Sequence, residues 1–127
     1  MKIYGIGTDI VSVDRIKKSL KSKKFLKRLF NKEEISKCSR LKLSKNCYAK
    51  RFAAKEAFSK ALGTGIINGI NFNEIIVLNS KLGKPYINLI GQTKKTIIKK
   101  FKKKKLKVSL SLSDEKKYAV AFVTISL

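Results

Sequence analysis

One long helix constrains this chain most, because it has to be largely buried. The segment between Ser44 and Gly63 favours helix, with Ser44 as the expected cap and Gly63 as the residue that ends it. The positions between its charges are mostly small or apolar, and the expected buried stripe is Tyr48, Phe52, Ala53, Ala57 and Leu62. A chain of 127 residues can build one real core around such a helix, so we expect a single domain over residues 1–127.

Predicted strands precede and follow this helix. Residues 2–13 predict a strand in which Gly5 and Gly7, two positions apart, indicate close approach by another backbone or by a ligand. The other predicted elements are a short helix capped by Ser12 or Asp14, a helical stripe at 25–30, a helix opened by an Asn31–Glu34 capping box, strands at 72–78, 85–90, 106–112 and 118–127, and a helix at 91–104. This order predicts an α+β domain.

The charge of the chain is unusual, with 31 Lys and Arg residues against 8 acidic residues and a net charge of +23. Such an excess favours a polyanionic partner: nucleic acid, an acidic protein, a membrane surface or a phosphorylated small molecule. Solvated surface lysines from an AT-rich genome would give the same count, so the charge alone does not choose a partner.

Residue types that are scarce or absent exclude some kinds of catalytic and metal-binding site. The chain has no His, which excludes His-based triads and His-ligated zinc. Cys38 and Cys47 lack metal-site spacing, and we expect two free thiols in a reducing cytoplasm. No apolar run approaches the roughly 18 residues of a membrane span, and no signal peptide is expected.

Asp9 and Glu56 are the candidate metal ligands. Strand alternation puts Asp9 on the same face as Gly5 and Gly7, where small neighbours would let a large anionic ligand approach. Glu56 lies four residues before Lys60, which predicts either an ordinary helix ion pair or a functional pair in a cleft. Two carboxylates from separate elements, completed by phosphate oxygens and water, suit Mg²⁺.

Further cations lie close to Glu56 in the sequence. Arg51 and Lys55 are a turn or so before it and could extend a cationic surface, although a solvated charged face explains them as well. The turn Gly63-Thr64-Gly65 that follows the helix is weak evidence by itself, since a glycine cap is common.

Short motifs along the whole chain occur in the order and spacing of one known protein family. They are Gly5-Ile6-Gly7-Thr8-Asp9-Ile10-Val11, Arg15, Ala49-Lys50-Arg51-Phe52-Ala53-Ala54-Lys55-Glu56-Ala57, Lys60-Ala61, Gly63-Thr64-Gly65, Gly83-Lys84-Pro85, Ser111-Leu112-Ser113-Asp114-Glu115 and Tyr118-Ala119. In this order and spacing the sequence resembles the holo-acyl-carrier-protein synthases, a family of phosphopantetheinyl transferases.

The resemblance implies a phosphopantetheinyl transferase fold, with a long helix packed on an antiparallel sheet, and a homotrimer with each active site between two subunits. The implied reaction moves 4'-phosphopantetheine from coenzyme A to a serine of apo-acyl carrier protein in fatty-acid biosynthesis. By this likeness Asp9 and Glu56 would hold Mg²⁺, and Lys60 would contact the phosphates or assist proton transfer. Arg51, Gly63 and Gly65 would help to bind coenzyme A.

The resemblance also implies a surface for the carrier protein, and it has one departure. Arg15, with Lys18 and Lys21, would face the acidic carrier protein. Many family members have His near the nucleotide 3'-phosphate where this chain has Asp114, and we expect Asp114 not to bind phosphate because it would repel it. The serine proton could go to a water on the metal, to Glu56 or to Lys60.

Two other functions are alternatives. A basic nucleic-acid-binding module without catalysis has the charge in its favour, but no aromatic stacking platform or RNA-binding signature is present. A phosphopantetheinyl transferase that serves a polyketide or peptide synthetase is the second, and the short chain favours the primary-metabolism class instead. The expected partners are therefore coenzyme A, acyl carrier protein and further copies of the chain, with no nucleic acid and no membrane.

Overall fold

The computed structural model describes residues 2–63, 69–102 and 104–127, and it has the predicted α+β order. Its strands are β1 (Ile3–Ser12), β2 (Ile75–Asn79), β3 (Pro85–Leu89), β4 (Lys107–Asp114) and β5 (Tyr118–Ser126). Its helices are α1 (Val13–Ser19), α2 (Lys23–Leu29), α3 (Lys32–Ser39), α4 (Ser44–Leu62) and α5 (Gly91–Lys100), and a 3-10 turn, Phe72–Glu74, precedes β2. Among these described helices, none is long and apolar enough to cross a membrane.

The larger sheet is antiparallel and has β5 at its centre, between β1 and β4. Alternate residues of β5 are fully buried and form the face that meets α4: Ala119, Ala121, Val123 and Ile125. The strands β2 and β3 form a separate antiparallel hairpin, whose buried residues Ile75 and Val77 join the same core cluster as Ala121. The predicted packing of the long helix on an antiparallel sheet is therefore confirmed.

Two glycines let the backbone of α4 lie directly on β1. A Cβ atom on Gly5 would collide with the carbonyl oxygen of Ala61, and one on Gly7 would collide with the carbonyl oxygen of Ala57. Of the two expectations for this pair, close approach by another backbone is the correct one. The small residues beside Asp9 make room for the helix, and the expectation that they admit a large anion is wrong.

Lys55 is fully buried, which corrects the expectation that it extends a cationic surface. Its ammonium donates to Glu34 Oε1 at 2.7 Å, to Phe72 O at 2.7 Å and to Ile75 O at 2.6 Å. The other carboxylate oxygen of Glu34 accepts from the backbone N–H of Val77 at 3.1 Å. Burial lowers the pKa of Lys55 from 10.5 to about 8, while the Glu34 carboxylate opposes this change.

Most of the predicted helix ends are confirmed. The predicted caps are present at Ser12, Asn31 and Gly63, the last with a left-handed φ of 76°. Ser44 is not a cap, because α4 begins one residue earlier than predicted. Leu43 occupies the cap position, and its carbonyl accepts from the N–H of Cys47 at 3.2 Å.

The first of the late strands is shorter than expected. The strand predicted at residues 72–78 begins only at Ile75, because Phe72–Glu74 forms a 3-10 turn. The carbonyl oxygens of Phe72 and Ile75 accept from Lys55, and a carbonyl held by a buried ammonium is less available to a neighbouring strand.

The helix that follows β3 is also shorter than expected. The helix predicted at residues 91–104 ends at Lys100, and Lys102 takes a left-handed φ of 51°. Lys103 lies outside the described residues. The predicted hairpin turn over residues 114–117 is confirmed, since it joins β4 to β5.

The structure joins Cys38 and Cys47 in a disulfide, which corrects the expectation of free thiols. Cys38 lies near the end of α3 and Cys47 near the start of α4, and both are buried where the helices meet, with their Cα atoms 5.4 Å apart. Pairing depends on how two separate helices approach each other, and the sequence spacing does not reveal that approach. The cysteines therefore give no support to a reducing compartment.

Because α4 lies directly on β1, one methyl group added at this contact should strongly reduce the stability of the fold. We expect Gly7→Ala to lower the free energy of unfolding by about 3 kcal/mol or more, because the rigid helix backbone has to move away. Urea unfolding followed by circular dichroism measures the change. Gly83→Ala is the control, since its Cβ would meet open space and only its left-handed φ of 88° costs about 1 kcal/mol. Equal losses in both variants would contradict the proposed tight contact.

Candidate active site

Asp9, Glu56 and Lys60 come together where β1 meets the second half of α4. Lys60 Nζ lies 3.2 Å from Asp9 Oδ1 and donates to Thr8 O at 3.0 Å. Asp9 faces the helix because it alternates with Gly7, whose missing side chain allows α4 to come close. The Asp9 carboxylate is near enough to Glu56 for its charge to act on that carboxyl group. The three residues predicted to be catalytic therefore share one site.

The charges at this site favour a bound cation. Burial, and then the charge of Asp9, raises the pKa of Glu56 above its ordinary value, while Lys60 acts in the opposite direction. Two carboxylates against one ammonium leave a net negative charge at neutral pH. Within residues 2–63, 69–102 and 104–127, no cluster of three or more His, Cys, Asp or Glu residues could hold a metal ion. A hard cation that accepts ligands from substrate and water fits a pair of carboxylates.

A cleft of about 720 Å³ opens beside this site. Its walls come from α2, α4 and the segment before β2: Arg28, Leu29, Glu56, Ser59, Lys60 and residues 70–74. The lining combines apolar side chains such as Leu29 and Phe72 with cationic, amide and carboxylate groups, the last from Glu56 and Glu74. This combination suits a ligand that has both an apolar portion and phosphates.

Comparisons with known proteins agree with this geometry. A family model described as the 4'-phosphopantetheinyl transferase superfamily matches residues 5–123. The chain belongs to this superfamily. It is 51% identical over 125 residues to a holo-[acyl-carrier-protein] synthase of Pelagibacter ubique, with 98% of each chain covered. It is 45% identical over 127 residues to the holo-[acyl-carrier-protein] synthase of Vibrio parahaemolyticus, again with 98% of each covered.

Solved structures of the superfamily have the same fold. The holo-[acyl-carrier-protein] synthase of Neisseria meningitidis matches with a TM-score of 0.86 and 40% identity, covering 99% of this chain and 100% of that one. The Bacillus anthracis synthase, solved in complex with CoA (3',5'-ADP), matches with a TM-score of 0.79 and 38% identity, covering 97% and 96%. The predicted family and fold are confirmed.

Arg51 of this phosphopantetheinyl transferase is buried against β2. Its Nε donates to Val77 O at 3.2 Å, and its Nη2 donates to Asn79 Oδ1 at 3.0 Å. These bonds tie α4 to the hairpin, and Arg51 is not among the residues that line the cleft. The structure thus does not bring it together with Glu56, and its contact with coenzyme A stays a prediction.

The remaining predicted residues lie at the surface or outside the described part of the chain. Gly63 is exposed at the end of α4, and Gly65 lies in the undescribed range 64–68. The carrier-binding candidates Arg15 and Lys18 are exposed on α1, and Lys21 is exposed just after it. Binding of coenzyme A and binding of the carrier protein both require exposed residues, and both assignments stay predictions.

Two parts of the cleft were not predicted from the sequence. Arg28 precedes buried Leu29 in α2, which places it at the boundary between core and solvent, but every amphipathic helix has residues of this kind. Residues 70–74 were expected to lead into or begin a strand. They become a wall of the cleft because Lys55 holds the 3-10 turn, and a bond between a helix and a distant carbonyl leaves no local signal.

The raised pKa of Glu56 predicts a stability change in the metal-free protein. The folded state keeps this proton to higher pH than the unfolded chain, so ionisation at neutral pH destabilises the fold. We expect Glu56→Gln to raise the free energy of unfolding at pH 7 by less than about 1 kcal/mol, since solvent screens the charges. Urea unfolding in a chelator measures this difference.

The pH dependence supplies the control for this prediction. Stability contributed by the protonated Glu56 is present below the unfolded pKa and is lost as the pH rises through the folded value. The advantage of Glu56→Gln should therefore vanish below about pH 4, where the carboxyl is protonated in both states. Glu33→Gln, which changes an exposed glutamate in the first turn of α3, should give no gain at pH 7. A Glu56→Gln protein that is less stable at pH 7 would refute the assigned electrostatics.

Proposed function

We propose that this chain is a holo-acyl-carrier-protein synthase. The transfer of 4'-phosphopantetheine from coenzyme A to acyl carrier protein, predicted from the sequence, agrees with the names of its relatives and with their fold. The observation in this chain that carries the proposal is the meeting of Asp9, Glu56 and Lys60 beside a large cleft.

In the proposed reaction, the serine oxygen of the carrier protein bonds to the β-phosphorus of coenzyme A. The bond from that phosphorus to the bridging oxygen breaks, and adenosine 3',5'-bisphosphate leaves. The Lys60 ammonium has three N–H donors, and Asp9 and the Thr8 carbonyl accept two of them. The third can donate to the pyrophosphate and offset the charge that develops on the leaving group.

The serine proton needs an acceptor within the site. We propose Glu56 for this role, because it lies beside Asp9 in the site and, without a bound ion, burial and the charge of Asp9 raise its pKa above the ordinary value. Lys60 fits less well, because its ammonium already donates to Asp9 and to Thr8 O, and an ammonium cannot accept a proton. A water on the bound metal is the other acceptor considered from the sequence.

Mg²⁺ is the proposed cofactor. Asp9 and Glu56 would hold it, and their mutual repulsion gives a reason for a divalent cation to bind between them. When bound, the ion would act as a Lewis acid on the phosphate oxygens of coenzyme A.

The outer face of the larger sheet supports the proposed homotrimer. Ile10 is 63% exposed, Val120 37% and Phe122 45%. The register of β1 and β5 pairs Ile10 with Val120 and Thr8 with Phe122, so these side chains form one surface. An exposed apolar surface of this kind marks a protein interface. Since Asp9 is on the opposite face of β1, a neighbouring subunit docked here would lie next to the strand that carries half of the site.

A cytoplasmic location and a place in fatty-acid biosynthesis belong to the same proposal, because that pathway would use the holo-acyl carrier protein that the reaction forms. The nucleic-acid alternative rests on the net charge alone. It gives no reason for two carboxylates to meet beside the cleft, where they would repel a polyanion unless a metal ion intervened.

The first test is transfer itself. We expect mass spectrometry to show one 4'-phosphopantetheine group on apo-acyl carrier protein when coenzyme A and Mg²⁺ are present, and none when the metal is chelated. Glu56→Gln should lower kcat/KM by about a hundredfold or more, because the site loses a metal ligand and a base. Glu33→Gln should leave the rate unchanged. Near-normal turnover of Glu56→Gln at saturating Mg²⁺ would rule out the assigned role.

The second test concerns assembly. We expect the unmodified chain to sediment as a trimer and Phe122→Glu to sediment as a monomer, because a carboxylate would be buried without a partner in the interface. Tyr86→Glu is the matched control, since Tyr86 is 44% exposed on β3 of the other sheet and should leave the trimer intact. A monomeric unmodified chain at the protein concentration of the assay would contradict the proposed interface.

A further inference from the structure

Lys55 precedes Glu56 in α4, but its side chain lies in the core instead of in the cleft. It has no exposed surface, and all three N–H donors of its ammonium are satisfied, by one carboxylate and two carbonyls. The attraction within a buried ion pair is largely cancelled by desolvation, so apolar residues often serve stability as well or better. The pair is therefore better explained by the segments that it holds in position than by its contribution to the stability of the fold.

Two of the three acceptors of Lys55 lie at the two ends of the 3-10 turn. Phe72 is the first residue of the turn, and Ile75 is the residue that follows its end. The third acceptor, Glu34, also accepts from the N–H of Val77 in β2. One ammonium thus ties both ends of the turn to the helix position next to Glu56.

This turn and α4 both line the cleft. Residues 71–74 contribute to the lining together with Glu56, Ser59 and Lys60. The turn is also bonded to its neighbours, through Asn73 Nδ2 to Lys27 O at 3.2 Å. The side chain of Glu74 accepts from the first backbone N–H groups of α5. The 3-10 turn is therefore a rigid segment, and its distance from α4 depends on Lys55.

We propose that Lys55 and Glu34 are positioning residues for phosphopantetheinyl transfer, which set the position of the 3-10 turn relative to Glu56 in the lining of the cleft. The inference rests on the proposed function, and neither residue touches the substrate. A displacement of about 1 Å between groups that hold a substrate can cost roughly a hundredfold in rate. Loss of the tether would thus reduce activity in a protein that remains folded.

The decisive variant removes both charges together. Lys55→Met alone leaves the Glu34 carboxylate buried without its partner and could prevent folding. The double variant Glu34→Gln with Lys55→Met removes both charges of the pair together and keeps side chains of similar size, while Arg51 keeps its hydrogen bonds to Val77 O and Asn79 Oδ1. Phe101→Leu is the control, because Phe101 is buried at the end of α5 and makes no bond in this network. It tests whether general loss of core packing gives the same result.

Two measurements separate positioning from general stability. At a temperature well below the unfolding midpoint, we expect the double variant to show a KM for coenzyme A at least about tenfold higher, together with a lower kcat. Loss of folded protein alone would lower kcat and leave KM unchanged. Amide hydrogen exchange should become at least about tenfold faster at residues 72–77 and stay unchanged in β5. Phe101→Leu should change neither the KM nor the exchange of residues 72–77.

The outcomes distinguish this inference from the proposed function. If the unmodified chain transfers no phosphopantetheine, the proposed function fails, while the exchange measurement still tests the tether. If the unmodified chain is active and the double variant keeps its KM, the positioning role is overturned. The same holds if exchange at residues 72–77 does not change.

Discussion

The direct contact between the backbones of α4 and β1 is the constraint on which the site depends. It is possible because Gly5 and Gly7 have no side chains on the face that meets the helix. Strand alternation then places Asp9 on that face, and Glu56 and Lys60 directly precede Ala57 and Ala61, the helix residues that contact the two glycines. Larger residues at the two glycine positions would separate the strand from the helix and thereby separate the two carboxylates.

The buried pair of Lys55 and Glu34 fixes another part of the cleft lining. The sheet contact determines where Glu56 lies relative to Asp9, whereas the ion pair determines where the 3-10 turn lies relative to Glu56. Two consecutive residues of α4 therefore serve different faces, Lys55 in the core and Glu56 in the site. A helix advances about 100° per residue, so neighbouring positions can meet quite different surroundings.

The sequence predicted the parts of the fold that local patterns encode. The strand period of residues 118–127, the Asn31–Glu34 capping box and the Gly63 terminus are all confirmed. The resemblance assigned Asp9 and Lys60 to one active site, but their direct contact across 51 residues was not predicted, because no local pattern connects the two.

What the sequence did not predict depends on tertiary contacts. The surroundings of Lys55 and Arg51 were misjudged because charged residues are usually exposed, and only long-range hydrogen bonds make their burial possible. The same applies to Cys38 and Cys47, whose pairing follows from the packing of α3 on α4. The 3-10 turn was missed because its carbonyls are held by a residue far away in the sequence.

Because these cations are buried, the net charge of +23 cannot be taken as a measure of the positive charge around the candidate active site. Of the four bases in the segment around Glu56, Lys55 and Arg51 are buried, and Lys50 pairs with Asp114 at 3.4 Å. Of these four bases, Lys60 is the one that contacts a carboxylate of the site, so the large charge excess of this segment is not concentrated there. Much of it lies on exposed helix surfaces, including those of α1 and α5, where it acts over about 10 Å through salt solution. Charge in those places speeds encounter with an acidic partner, which is what a transferase acting on an acidic carrier protein would need.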